Sequence, residues 1–141
     1  RNRSVRVAPT HADAIRELIV PIRRSLESFE LSLIFDDLNQ DDFRLWDEII
    51  VRLKECCKAQ DYHGTAENDI AFHRSIIRRA GEMELEAIWS AILARVRSHF
   101  WNSHRGYEDL MNVYHEHRDI VDVFRSGDKE SAVQSLADSI S

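Results

Sequence analysis

Glycine and proline are scarce, four and two in a chain of 141 residues. That scarcity excludes a collagen-like or low-complexity chain and argues against a turn-rich β sandwich. The only cysteines are Cys56 and Cys57; being adjacent, they are badly placed to pair with each other, and they read as two reduced thiols of a cytoplasmic protein. No apolar run approaches the roughly 20 residues of a bilayer-spanning helix, and no signal-peptide pattern opens the chain, so no membrane partner is expected. Positive charge is in the minority, with 19 Lys+Arg against 25 Asp+Glu and a formal net charge of −6. Arg1, Arg3 and Arg6 crowd the start of the chain, which leaves the rest more acidic still. An acidic body repels phosphates, so the bulk of the chain is not itself a grip for nucleic acid.

Helical periodicity is what the sequence has in quantity, on a length that suits one domain with a buried core. Thr10 and Asp13 imitate a capping box, and Ile15, Leu18, Ile19, Ile22, Leu26, Phe29 and Leu33 follow at three- and four-residue steps. Pro21 inside that run predicts a kink or a restart. A second helix is predicted over about 40–59, with Phe43, Trp46, Ile50 and Leu53 on one face. Asp61 to Gly64 reads as a loop, followed by a third helix over about 65–80 that Gly81 stops. A fourth is predicted over about 83–103 and a fifth over about 107–125, with a sixth starting at Asp128. The expected fold is an all-α antiparallel bundle of about six helices. Residues 1–9 stand apart: basic, with a short alternation at Val5 and Val7 closed by Pro9, they read on charge patterning as a tail or linker.

Several polar residues fall on faces that should be apolar. Asp69 and His73 are four apart on the third helix and so share a face that Ile76, Ile77 and Ala80 extend. An Asp oxygen and a His nitrogen at that spacing can converge on a cation, or simply bond to each other. His117 shares a stripe with Tyr114, Ile120, Val121 and Phe124, whereas His115 points elsewhere. A lone inward histidine is more often a satisfied core residue than a ligand. On the fourth helix Ile88, Ile92, Arg95 and His99 form one stripe, which turns Arg95 inward. A buried guanidinium needs an anion, either a structural carboxylate such as Glu27 or Asp69, or a carboxylate ligand held bidentately. Arg23, on the Ile19–Leu26 side of the first helix, poses the same question. Trp46, Trp89 and Trp101 are expected in packing, Trp101 with Phe100 also at a partner surface.

The order of these residues resembles the FCD effector-binding domain at the C-terminus of GntR-type bacterial transcription regulators. Arg23-Arg24-Ser25-Leu26-Glu27 is similar to the family's R-x-x-L-E motif, and Asp69-Ile70-Ala71-Phe72-His73 to D-x-x-F-H. Ala80-Gly81-Glu82-Met83-Glu84-Leu85 resembles A-G-N-x-x-L, with Glu82 where Asn is usual. Glu116-His117-Arg118-Asp119-Ile120, then Gly127-Asp128 and Ala132, resembles E-H-x-x-I…G-D…A. The resemblance covers about residues 10–141, and six helices would place the chain with the VanR-type subgroup. Residues 1–9 then look like the end of a winged-helix wing and its linker, which implies an N-terminal DNA-binding domain outside this chain.

The family resemblance implies a non-enzymatic sensor: a homodimer that binds a small carboxylate effector and modulates operator DNA binding by the winged-helix domain. It also implies a divalent metal (Zn, Ni, Mn or Fe) held by an Asp and three His, of which Asp69, His73 and His117 match three. The fourth position, in the family's terminal H-I, is Ser139 followed by Ile140, and serine is a poor ligand for such ions. The site then holds metal with three protein ligands and a water or effector carboxylate, or holds none and recognises its effector directly. Arg23 and Arg95 are the expected effector-binding residues. Two other readings stay open: a helical-bundle metalloenzyme acting on small acids, and a purely structural helical interaction domain. The chain has no Glu-x-x-His, which argues against a di-iron carboxylate enzyme.

Overall fold

A computed structural model describes residues 11–105 and 109–141. The basic leader at 1–9 and the Thr10 cap lie outside the described residues, as do the side chains of Val96, His99 and Phe100. Seven α-helices and one short 3-10 turn make up the described chain: α1 (His11–Ile34), the turn Phe35–Asp37, α2 (Gln40–Lys58), α3 (Tyr62–Ala80), α4 (Met83–Ala91), α5 (Leu93–Arg105), α6 (Met111–Arg125) and α7 (Lys129–Ser139). The all-α bundle read from periodicity is the fold, but the helix count of about six is corrected to seven and no longer points to the VanR-type subgroup.

The extra helix arises at Ile92, which closes α4 with φ −97° and ψ 2°, the bridge region that ends a helical run. No proline or glycine marks this break in the sequence. The inward residue of α4 is Trp89, 1% exposed, while Ile88 of the expected stripe is 49% exposed. The stripe does not cross the break, and Arg95 is exposed rather than inward.

The predicted loop at 61–64 is also corrected. α3 begins at Tyr62, and the Asp61 side chain caps it by accepting the Gly64 N–H at 2.8 Å. A Cβ on Gly64 would meet Asp61 Oδ2 at 2.4 Å and Cys56 Sγ at 2.7 Å. That glycine is therefore part of the cap and not a chain breaker. Nor does Pro21 interrupt α1. It sits on the exposed side, where solvent can bond the carbonyl that its missing N–H leaves unpaired. At the other end of α3, Gly81 takes φ 69° with nothing within 4 Å of where a Cβ would stand. Gly81→Ala is expected to cost only the left-handed backbone, about 1 kcal/mol by urea unfolding.

α3 is the centre of the bundle, packed against α1, α2 and α5, while α1 also meets α7 and α2 meets α6. Its sequence explains the position. Thr65, Ala66, Asp69, Ile70, Phe72, His73, Ile76 and Ile77 are all buried, a band too wide for a helix with a solvent face of ordinary size. Phe72 and Ile76 join the main core with Leu31, Trp46, Ile120 and Phe124, and Ala66, Ile70 and Ile77 pack with Ile19 and Trp89. Asp69 and His73 lie between these apolar groups in the helical register.

Candidate metal centre

Four helices aim charged or ionisable side chains at one interior point. Asp69 and His73 come from α3, His104 from α5, His117 from α6 and Glu27 with Arg23 from α1, each no more than 4% exposed. Asp69 is the hub. His117 Nε2 lies 2.7 Å and His73 Nε2 3.2 Å from its Oδ1, and His104 Nε2 lies 2.8 Å from its Oδ2. Ligand atoms of Asp69, His73 and His117 all fall within 4.8 Å of one another. The structure thus brings together the three residues singled out in the sequence.

The outer nitrogens are held as well. His117 Nδ1 is 2.7 Å from the Val113 carbonyl one turn earlier on α6, which can only accept, so Nδ1 carries a hydrogen. His73 Nδ1 bonds to Glu27 Oε1. Glu27 Oε2 accepts from Arg23 Nε at 2.9 Å and from the Trp89 indole at 3.3 Å. Phe72 closes one side, its ring edge-on at 5.3 Å to both His73 and His117.

Electrostatics follows from this packing. Burial pushes the Asp69 carboxyl upward, yet the His117 ring and the hydrogen bonds from His104, His117 and His73 overcome it and hold Asp69 well below the usual carboxylate range. Burial likewise opposes ionisation of Glu27, and the Arg23 guanidinium and His73 ring prevail, holding it at about 2. Burial lowers His73, but the Glu27 charge and the bonds to Asp69 and Glu27 raise it on balance.

Arg23 is buried beside Glu27 and Arg95 is not part of the cluster. Ser139, the family's fourth-ligand position, is not part of it either: its hydroxyl donates to the Leu136 carbonyl at 2.6 Å. Sequence reasoning missed His104 and the pinning role of Glu27. His104 is found only in the phase of α5, where it stands three residues after the half-buried Trp101. Glu27 was legible as an acid four residues beyond Arg23 on an otherwise apolar side.

Glu30, one turn beyond Glu27 on α1, is fully buried, and neither carboxyl oxygen has a hydrogen-bond partner. Burial, then the charges of Glu27, Glu82 and Glu86, push its carboxyl up to about 7 from an ordinary 4.5. The folded protein therefore prefers the protonated form. That preference stabilises it fully below pH 4.5 and is lost as pH rises to about 7. Glu30→Met is expected to remove this slope and to add up to about 3 kcal/mol at pH 8, measured as the difference between the two unfolding profiles from pH 4 to pH 8.

A family model, the FCD domain, matches residues 18–141. No curated protein matches the chain. No described helix is long and apolar enough to cross a membrane.

Proposed function

The chain belongs to the FCD domain family, found in GntR-type regulators, and from that membership we propose that it senses a small carboxylate effector through a divalent metal held by Asp69, His73 and His117, with His104 bonded to the second Asp69 oxygen. The observation that carries the metal is the direction of the imidazoles. In His73 and His117 both ring nitrogens face acceptors: Glu27 and Asp69 for the first, Val113 and Asp69 for the second. Without an ion each of these contacts needs a hydrogen of its own, and several then crowd around one carboxylate. With an ion the outer hydrogens stay on Nδ1, and both Nε2 lone pairs are turned to the same point as the Asp69 oxygen, the arrangement of outer partners that orients metal-bound histidines. Nitrogen and carboxylate donors suit Zn, Ni, Mn or Fe. A bound divalent ion supplies positive charge and open coordination positions for the oxygens of a carboxylate.

The chain's own residues do the positioning. Glu27 fixes the His73 ring and Arg23 fixes Glu27, so Arg23 serves as a counter-ion inside the bundle. In this reading the domain carries out no reaction. Effector binding shifts the population of two arrangements of a homodimer, and a winged-helix domain outside this chain reads operator DNA. The exposed apolar side chains of α1, Leu18, Ile22, Phe29 and Leu33, support the dimer, because such a strip suits burial against a second copy.

Thermal melts with small hydroxy- and keto-acids test the sensor. Metal-loaded protein is expected to be stabilised by at least one acid, by about 2.7 kcal/mol at a hundredfold excess over Kd, and chelator-treated protein is not. Stabilisation that is equal with and without metal contradicts the role of the ion.

A further inference from the structure

Arginines gather in one place on this acidic molecule. A groove of about 390 Å³ runs between α2 and α3, lined among others by Asp42, Trp46, Arg52, Arg74, Arg78 and Arg79. Arg79 is closed, its Nε donating to Asp42 Oδ1 at 2.8 Å and its Nη2 to the Asp37 carbonyl at 3.0 Å. Nearby Arg97 is closed too, by a two-pronged pair with Glu67 at 3.0 and 3.1 Å. Arg52, Arg74 and Arg78 have no carboxylate partner among the described residues. Arg74 is half-buried, with its guanidinium 5.9 Å from the centre of the Trp89 ring. Burial, followed by the charges of Arg78 and Arg97, presses the Arg74 guanidinium down from its ordinary value, against the opposing charge of Glu67.

Four arginines and one carboxylate, Asp42, thus line one groove, in a chain whose formal net charge is −6. Like charges held side by side repel, and an anion between them reverses the sign of that interaction. Guanidinium forks match phosphate and carboxylate oxygens two at a time, and the volume lies in the range of small-molecule sites, about 300–1,000 Å³.

We propose that the α2–α3 groove binds a small polyanion, a ligand with at least two phosphate or carboxylate groups, through Arg52, Arg74 and Arg78. A compact ligand is favoured over nucleic acid because the acidic body around the groove repels an extended polyanion. The proposal stands apart from the metal reading, since none of its residues is in the Asp69 cluster. Its consequence for the fold is that an occupant ties α2 to α3, the helix that carries Asp69 and His73.

Calorimetric titration of the full chain, freed of metal by a chelator, with inorganic pyrophosphate is the test. Removal of metal prevents the probe from binding through an ion. One pyrophosphate per chain is expected, weakened at least tenfold in Arg52→Gln/Arg78→Gln, whose side chains are both exposed and so leave the fold intact. Arg95→Gln, exposed and outside the groove, is expected to bind as the natural sequence does. No saturable binding at millimolar pyrophosphate overturns the proposal, as does binding that the double variant leaves unchanged. A duplex DNA that competes better than pyrophosphate at equal phosphate concentration overturns the choice of a small ligand.

Discussion

Asp69→Ala is expected to abolish metal binding and to destabilise the bundle in one step. The carboxylate is 4% exposed and receives three imidazole nitrogens from three helices. Its loss removes an anionic ligand and the carboxylate oxygen that His104 Nε2 bonds to. Outer partners of metal ligands typically matter by 10–100-fold in affinity, so loss of a direct ligand should exceed about a hundredfold. In metal-free protein the alanine removes the carboxylate that these buried imidazoles share, and truncation of one partner in a buried ionic cluster typically costs about 3–5 kcal/mol. Metal titration and urea unfolding read the two effects separately. An Asp69→Ala protein that keeps both its affinity and its stability contradicts the assignment of Asp69 as hub.

Glu27→Gln should have the second-largest effect, and by a different route. Glu27 touches no candidate ligand atom of the ion; it bonds to His73 Nδ1, Arg23 Nε and the Trp89 indole. The amide retains the size but not the charge, which breaks the buried ion pair with Arg23, 1% exposed. Breaking such a pair costs about 3–5 kcal/mol, a fall in Tm on the order of 10 °C for a domain of this size. Metal affinity should also weaken by about 10–100-fold as the His73 ring loses its anchor. The sign in pH is fixed by the carboxyl at about 2. Its stabilisation is present above the ordinary 4.5 and is lost as pH falls towards about 2, so the natural and variant proteins should converge in acid. Replacing Glu27 and Arg23 together by apolar residues should recover much of the stability but not the metal affinity. Equal metal affinity in Glu27→Gln and the natural sequence would falsify the anchoring role.

The helices were legible in the sequence because burial repeats at helical spacing; α2 and the end of α3 fall where the apolar stripe and Gly81 place them. Two boundaries were not, each for a local reason. At Asp61–Gly64 a glycine suggests a loop, yet the close approach of the Asp61 side chain makes it part of a helix cap. At Ile92 ordinary residues hide a break three residues beyond Trp89, whose indole donates to Glu27. The second error propagated into the site. A helix continued through Ile92 turns Arg95 inward, whereas the real break exposes Arg95 and turns His104 to Asp69 instead. Asp69, His73 and His117 were found because two share one helical face and the third stands alone on an apolar stripe. The distances between helices that make them a cluster are a property of packing, which no local pattern carries.

Calorimetric titration of chelator-treated protein with zinc or manganese, in two buffers of different ionisation enthalpy, tests most directly for a divalent ion among Asp69, His73 and His117. The prediction is one ion per chain with net release of protons, because any ring nitrogen that donates to Asp69 must lose its hydrogen to bind the ion. Both the binding and the proton release should disappear in Asp69→Ala. Absence of saturable binding, or binding without proton release that Asp69→Ala leaves untouched, would contradict the metal centre and leave the cluster as a structural knot of hydrogen bonds.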